Sequence, residues 1–307
     1  MGKYVIRRIL QMIPVVIGTS FLIFTMVFVL PGDPTAGRCG ERPCSAAYVA
    51  KFNAEYNLDK PLLVRYFLYL GKLLQGDLGT NFYGNRVVDE LALRYPTTVK
   101  LTLIAILVVI IVGITAGVLA GIRKGKFADN LVTISTLLLI SIPVFVLGAS
   151  AQMLFGLKLG WFPVTATQGT WYQLLMPGFV LGSLSVAYVA RLTRTNLVEN
   201  LRSDYVRTAK SKGMSQGRAV GVHALRNSLI PVVTYIGASV GALMGGAIIT
   251  ERIFNINGVG FFIWRSINQR DGVSVVGAVL VLVLVYLIVN LLVDLLYGVL
   301  DPRITND

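Results

Sequence analysis

The residues best placed for covalent chemistry in this chain are Gly237-Ala238-Ser239-Val240-Gly241. They have the Gly-x-Ser-x-Gly spacing that exposes a serine nucleophile on a sharp strand-to-helix turn. Here the pentapeptide lies inside an apolar helical run. The sole histidine, His223, sits on the far side of Pro231. Roughly sixteen residues of helix would hold the two about 24 Å apart. A serine without a base within reach is not a nucleophile, and the pattern is excluded as a hydrolase.

The other reactive residue types are equally sparse. With one histidine there is no His-Glu-x-x-His pair and no metal centre. Gly71-Lys72 and Gly125-Lys126 are followed by Leu73 and Phe127, so neither builds the phosphate loop that would cradle ATP. The two cysteines, Cys39 and Cys44, are close in sequence. In an oxidising compartment Cys39-Gly-Glu-Arg-Pro-Cys44 can close a small disulfide; two unpaired thiols are the alternative. No catalytic residue and no bound cofactor is expected.

What the chain does carry is apolar surface. Of its 307 residues 55% are hydrophobic and only 14% charged, against roughly 25% charged in an ordinary soluble domain. Six apolar segments have the dimensions of membrane spans, for which about 20 residues are needed. They cover residues 9–30, 97–121, 131–155, 174–190, 228–250 and 273–300. The expected fold is an all-α integral membrane protein of six transmembrane helices. The first segment is longer than the ~7–15-residue core of a signal peptide and has no small-x-small site after it, so it reads as a retained span.

The net charge of +13 would suggest nucleic acid in a soluble protein. Placed against the spans, the charge has another meaning. Lys3, Arg7, Arg8, Arg123, Lys124, Lys126, Arg303 and the dense run from Arg191 to Arg226 fall on one side. Lys158, Arg252, Arg265 and Arg270 in the short loops opposite are far fewer. Basic residues collect in cytoplasmic loops, so both termini are expected in the cytoplasm of a multi-pass protein of a bacterial-type cell membrane. The segment 31–96 then becomes a helical extracytoplasmic loop, with amphipathic stretches at 46–56 and 62–74.

Two glycine ridges run at four-residue spacing, Gly113-Gly117-Gly121 and Gly237-Gly241-Gly245. Such ridges allow close backbone approach in lipid. Packing within the chain and a face toward a partner or a solute path both fit. The spans are nearly free of ionisable groups. Asp294, near the cytoplasmic end of the last, reads as an interfacial anchor or a partner for a basic residue. Ion-driven transport generally leaves several intramembrane charges, so an ion-coupled secondary transporter is the weaker alternative. The energy must enter from elsewhere.

The cytoplasmic loop at 200–227 is where it could enter. Ser203 suits an N-cap, Asp204 a first turn and Gly213 a stop. A short helix fits between them, with Tyr205 and Ala209 on one face and Arg207, Lys210 and Lys212 making it basic. A plug for a partner's groove and a solvated connector drawn to anionic lipid both suit this pattern.

Asp204-Tyr205-Val206-Arg207-Thr208-Ala209-x-x-x-Gly213 resembles the EAA-type coupling loop of ABC importer permeases, in the variant of the dipeptide, oligopeptide and nickel group. The general family has Glu-Ala where this chain has Arg207-Thr208. His223 to Pro231, Leu30 to Pro34, Leu58 to Pro61, Gly76 to Gly79, Ser141 to Phe145, Glu251 to Phe254 and Asp301 to Arg303 are also similar, in order. Together with the long loop after the first span they resemble the first permease of the group rather than its partner. The resemblance implies half of a translocation pathway for di- or oligopeptides working by alternating access. It implies a second homologous permease, two ATPase subunits (or a fused pair) that hold ATP and Mg, and an extracytoplasmic peptide-binding protein. Asp204 to Gly213 would dock on an ATPase, with Tyr205 and Ala209 as contacts. Nickel chelate, opine or glutathione are the alternative cargoes, and no nucleic acid is involved. The cysteine pair is not part of the family pattern.

Overall fold

The computed structural model describes residues 2–28, 44–57 and 59–300. Among them the secondary structure is helical, with one isolated bridge between Thr80 and Arg86. Helix α1 is Gly2–Phe28, α2 Ala46–Glu55 and α3 Leu62–Leu74. Helix α4 is Val87–Ile122, α5 Phe127–Ser141, α6 Val144–Lys158 and α7 Trp171–Arg202. The short α8 is Asp204–Ser211, α9 spans 216–253, α10 is Val259–Asn268 and α11 Gly272–Leu300. The calls at Cys39, at Leu30 to Pro34, at Leu58 and at Asp301 to Arg303 lie outside the described residues. The predicted Cys39–Cys44 bridge is among them.

Among the described residues five helices are long and apolar enough to cross a membrane, and six spans result if α5 and α6 count together. The expected span at 131–155 is not one helix. The chain bends by 107° between α5 and α6. Ile142 is extended (φ −94°, ψ 123°) because the ring of Pro143 clashes with an α-helical residue before it. The other helices run past their apolar windows. Helix α4 starts at Val87 and contains Pro96, and α7 continues through Arg202. Residues 191–202, read from sequence as loop, are therefore helix.

The chain forms two compact units, one from residues 1–98 and 257–307, the other from 99–256. In the first, α1 and α11 pack together. Only 11% of the apolar window of α1 is buried, and Ile6, Leu10, Leu22 and Met26 are exposed. In water such a stripe would be costly; in lipid it is the expected outer surface. Arg8 and Asp294 pair at 3.4 Å, so the one acidic residue of the last span has a basic neighbour. Tyr66 seats α3 on α1: its hydroxyl lies 2.9 Å from the Ile17 carbonyl and 2.7 Å from the Ser20 hydroxyl. The buried Asp271 carboxylate, ahead of α11, accepts the Phe82 amide at 3.0 Å and the Ser274 hydroxyl at 2.6 Å.

In the second unit α7 is the central helix, with 72% of its apolar window buried. The ridge Gly113-Gly117-Gly121 of α4 lies against it. A Cβ on Gly117 would stand 2.5 Å from the Ala190 carbonyl oxygen, and one on Gly113 2.8 Å from Val189 Cγ1. The contact is reciprocal, since a Cβ on Gly178 of α7 would stand 2.4 Å from Ile104 Cγ2 and one on Gly182 3.0 Å from the Ala105 oxygen. A π-helical turn at Val109–Gly113 lies between these points of approach. In lipid, where apolar contact with a neighbour gains little over contact with acyl chains, such backbone proximity holds helices together.

Candidate functional site

Helix α7 ends at Ser203, where the backbone turns extended (φ −68°, ψ 153°). Ser203 stands at the N-cap position of α8, as its type suggests, but its hydroxyl does not cap that helix. It donates back to the Asn200 carbonyl at 2.5 Å. The stop at the other end is as expected from sequence: Gly213 adopts φ +86°, its amide reaching the Lys210 carbonyl at 2.9 Å. Nothing lies within 4 Å of a Cβ placed there, so conformation rather than space selects glycine.

Helix α8 has an inner and an outer face. Val206 is completely buried with Leu197 of α7 and with Ala219 and Ala224 at the start of α9. Ala209, three residues on, is turned the same way and is buried within the chain. Asp204, Tyr205, Arg207, Thr208 and Lys210 remain exposed. Arg207 and Asp204 are 3.8 Å apart on this outer face, too exposed for the pair to matter to stability. Beside α8 opens a groove lined by Tyr205, Thr208, Ala209, Lys212, Arg218 and His223 among others. Its surface is basic, so it suits an acidic or polar partner. His223 lies in a π-helical turn, Ala219–Ala224, that begins α9. Such turns insert one residue and re-aim the side chains that follow.

One residue that sequence reasoning missed ties these parts together. Asn200 donates through Nδ2 to the Asn196 carbonyl at 2.9 Å and to Ser228 Oγ at 3.1 Å. Its Oδ1 accepts the Tyr205 hydroxyl. Three elements, α7, α8 and α9, thus meet at one carboxamide. Its only signal in the sequence was a polar residue in the last turn of a long helix.

A second junction lies further up α7. Asp129, in the first turn of α5, is buried and receives Arg194 as a two-pronged partner at 2.5 and 2.8 Å. Its Oδ2 also accepts the Gly125 amide at 2.8 Å. Arg194 was counted from sequence among the basic loop residues. It is instead a helix residue that fixes the α4–α5 turn, and bidentate geometry favours arginine over lysine there.

Of the predicted residues, Tyr205, Val206, Ala209 and Gly213 lie together on or beside α8. Gly113, Gly117 and Gly121 lie at the α4–α7 contact. In α9, Gly237 is half-buried and Gly241 buried, whereas Gly245 is exposed with nothing within 4 Å of an added Cβ. The second ridge therefore opens at its end. Among the described residues no group of acidic, histidine or cysteine side chains is disposed to hold a metal.

Comparison with known proteins adds a second line of evidence. Residues 113–306 match the family described as the binding-protein-dependent transport system inner membrane component. Residues 1–102 match the N-terminal region of such membrane components. The chain is 36% identical to the dipeptide transport system permease protein DppB of Alkalihalophilus pseudofirmus. It is 37% identical to the di/tripeptide transport system permease protein DppB of Pseudomonas aeruginosa. It is also 37% identical to the glutathione transport system permease protein GsiC of Pectobacterium atrosepticum. Each similarity covers 99% of both chains.

Proposed function

As this chain belongs to the family of binding-protein-dependent transport system inner membrane components, and is thus the membrane permease of an ABC importer, we propose that it forms half of a translocation pathway for di- or tripeptides. The relatives with 36% and 37% identity that bear dipeptide and di/tripeptide names support the cargo. A second, homologous permease would supply the other half. An extracytoplasmic binding protein would deliver the peptide. Two ATPase subunits would bind ATP and Mg2+ and do the hydrolysis; the permease itself catalyses nothing. Its basic side, with both termini, faces the cytoplasm.

The observation that carries the mechanism is the two-faced helix α8. Val206 fastens it to the ends of α7 and α9, so a push on its outer face moves both long helices together. Tyr205, Thr208 and Lys212 on the open side are the groups that meet the ATPase. Asn200 transmits the displacement from Tyr205 to Ser228 without needing a charge in the bilayer. Ala209, which lines the same groove as Tyr205, stands beside these contacts. The exposed end of the α9 ridge at Gly245 suits a face turned toward the partner permease or the solute path.

Co-purification tests this reading. ATPase subunits are expected to accompany the parent chain but not the Gly213→Pro or Ala209→Glu variants, both of which unseat α8. Retention by both variants would remove α8 from the docking role. A relative of equal identity named for glutathione favours one other cargo. Uptake of a labelled dipeptide and of labelled glutathione by the reconstituted assembly separates the two.

A further inference from the structure

Helix α3, between the first two spans, carries a stripe that the described residues leave uncovered. Leu63, Val64, Phe67 and Leu74 are exposed at 59%, 45%, 66% and 88%. Their spacing puts them on one side of the helix. Arg65 and Lys72 lie roughly 150° away round the axis. Both line a cavity whose wall also includes Phe24 of α1 and Val273 of α11. The stripe itself therefore holds no charge. An apolar face of this kind marks a surface that meets protein or membrane.

The depth of α3 decides between the two. Arg8 pairs with Asp294 at one end of α1 and marks one edge of the apolar span. Ser20 lies about 18 Å further along that helix and Phe24 about 24 Å, within a hydrocarbon layer about 30 Å thick. It is here that α3 is fastened. The buried Tyr66 hydroxyl stands 2.9 Å from the Ile17 carbonyl oxygen and 2.7 Å from Ser20 Oγ. Its ring meets Phe21 at 5.1 Å and Phe24 at 5.8 Å, and Tyr69 meets Phe24 at 5.3 Å. These points are about 6–12 Å below the surface of the layer farther from Arg8. Amphipathic helices lying in the plane of a membrane sit about 5–10 Å deep.

Length and flanks agree with an in-plane helix. The 13 residues of α3 extend about 20 Å, too short to cross the layer. Asp59 and Lys60 before it and Gln75 and Asp77 after it are exposed, so the chain returns to water at both ends. The helix satisfies its own backbone groups, as acyl chains demand. The stripe also continues a surface of the same kind, since Leu22 and Met26 of α1 are exposed at this depth.

We propose that α3 is an in-plane membrane helix, with Leu63, Val64, Phe67 and Leu74 resting in the acyl chains of the leaflet opposite the Arg8 side. The occupant of this face is lipid. Part of the segment read from sequence as an extracytoplasmic loop is thereby membrane surface, and it braces α1 from the lipid side. This placement rests on the bilayer setting of the family and holds for any cargo.

Tryptophan fluorescence of the full chain in phosphatidylcholine vesicles tests the placement. Phe67→Trp puts a reporter on the stripe, and Tyr83→Trp puts one on the exposed turn after α3. Each signal is read over that of the three tryptophans of the parent chain. Phe67→Trp emission is expected to fall several-fold more with lipid brominated on its acyl chains than with aqueous acrylamide, and Tyr83→Trp emission to show the reverse. Leu63→Trp, one turn earlier on the same stripe, gives the same reading should Phe67→Trp not fold. Quenching by acrylamide but not by brominated lipid at both 63 and 67 would overturn the placement. Loss of lipid quenching at both positions once the partner permease and the binding protein are added would give the face to protein and overturn lipid as its occupant.

Discussion

Replacing Gly117 with alanine adds one methyl group at the point where α4 comes closest to α7. The new Cβ would lie 2.5 Å from the Ala190 carbonyl oxygen and 2.6 Å from Thr193 Cβ. An ordinary carbon–oxygen contact needs nearly 1 Å more. The obstacle is backbone, so no rotamer change relieves it and the helices must part. Parting them also loosens the neighbouring contacts at Gly113, Gly121, Gly178 and Gly182. Overpacking a close contact typically costs about 1–3 kcal/mol, and a backbone obstacle argues for the upper half of that range. At about 1.4 kcal/mol per factor of ten, the folded-to-unfolded ratio in a denaturing titration should fall by tens to about a hundredfold. Gly245→Ala is the matched control, since nothing lies within 4 Å of its added Cβ. It removes a helix-interior glycine, and its fold should be unchanged or slightly steadier. Thermal unfolding of both variants in detergent, followed by tryptophan fluorescence, gives the comparison. Equal midpoints for the two would refute the claim that the α4–α7 contact depends on the glycine ridge.

Asn200→Ala leaves Ser228 and Tyr205 without their shared partner. A hydrogen bond between membrane helices is worth only about 0.6 kcal/mol on average, so stability should barely move. Transport per ATP hydrolysed by the assembled importer should nevertheless fall several-fold; unchanged stoichiometry would exclude Asn200 as a transmitter. Arg194→Ala strips a buried carboxylate of its bidentate partner and should cost about 3–5 kcal/mol, less whatever solvent reaches the site. Adding Asp129→Asn should restore part of the loss, and no recovery in unfolding titrations would count against the pair. Gly213→Ala keeps ample room but must hold a left-handed backbone, at about 1–2 kcal/mol, so α8 should fray first in hydrogen exchange. Uniform protection across the 204–211 amides would argue otherwise.

The sequence by itself determined the medium of the chain. Apolar windows of the required length, interrupted by few charges, leave a bilayer as the only solvent in which such helices are stable. The stop of α8 was also legible, because Gly213 supplies a left-handed turn and that preference is local. The single histidine and the lack of a Gly-x-x-x-x-Gly-Lys-[Ser/Thr] run can likewise be counted without a fold.

Tertiary structure decided everything that depends on which residue meets which. The Pro143 break was present in the sequence as a proline, but prolines at 14, 96, 177 and 231 sit inside continuous helices. Whether a proline kinks or ends a helix depends on how its neighbours satisfy the freed carbonyls. Gly178 and Gly182 of α7, which meet Ile104 and Ala105 of α4, have the same four-residue spacing as the Gly113 ridge and could have been found, yet spacing alone does not pair two helices. Tyr205 and Ala209 share a helical face by period and line one groove, but only the packing of Val206 on Leu197, Ala219 and Ala224 shows which side of α8 turns inward. Arg194 and Asp129, and Asn200 with Ser228, are far apart along the chain. Periodicity carries information over one helix, whereas ion pairs and interhelical hydrogen bonds are fixed by the close approach of helices that the sequence does not place side by side.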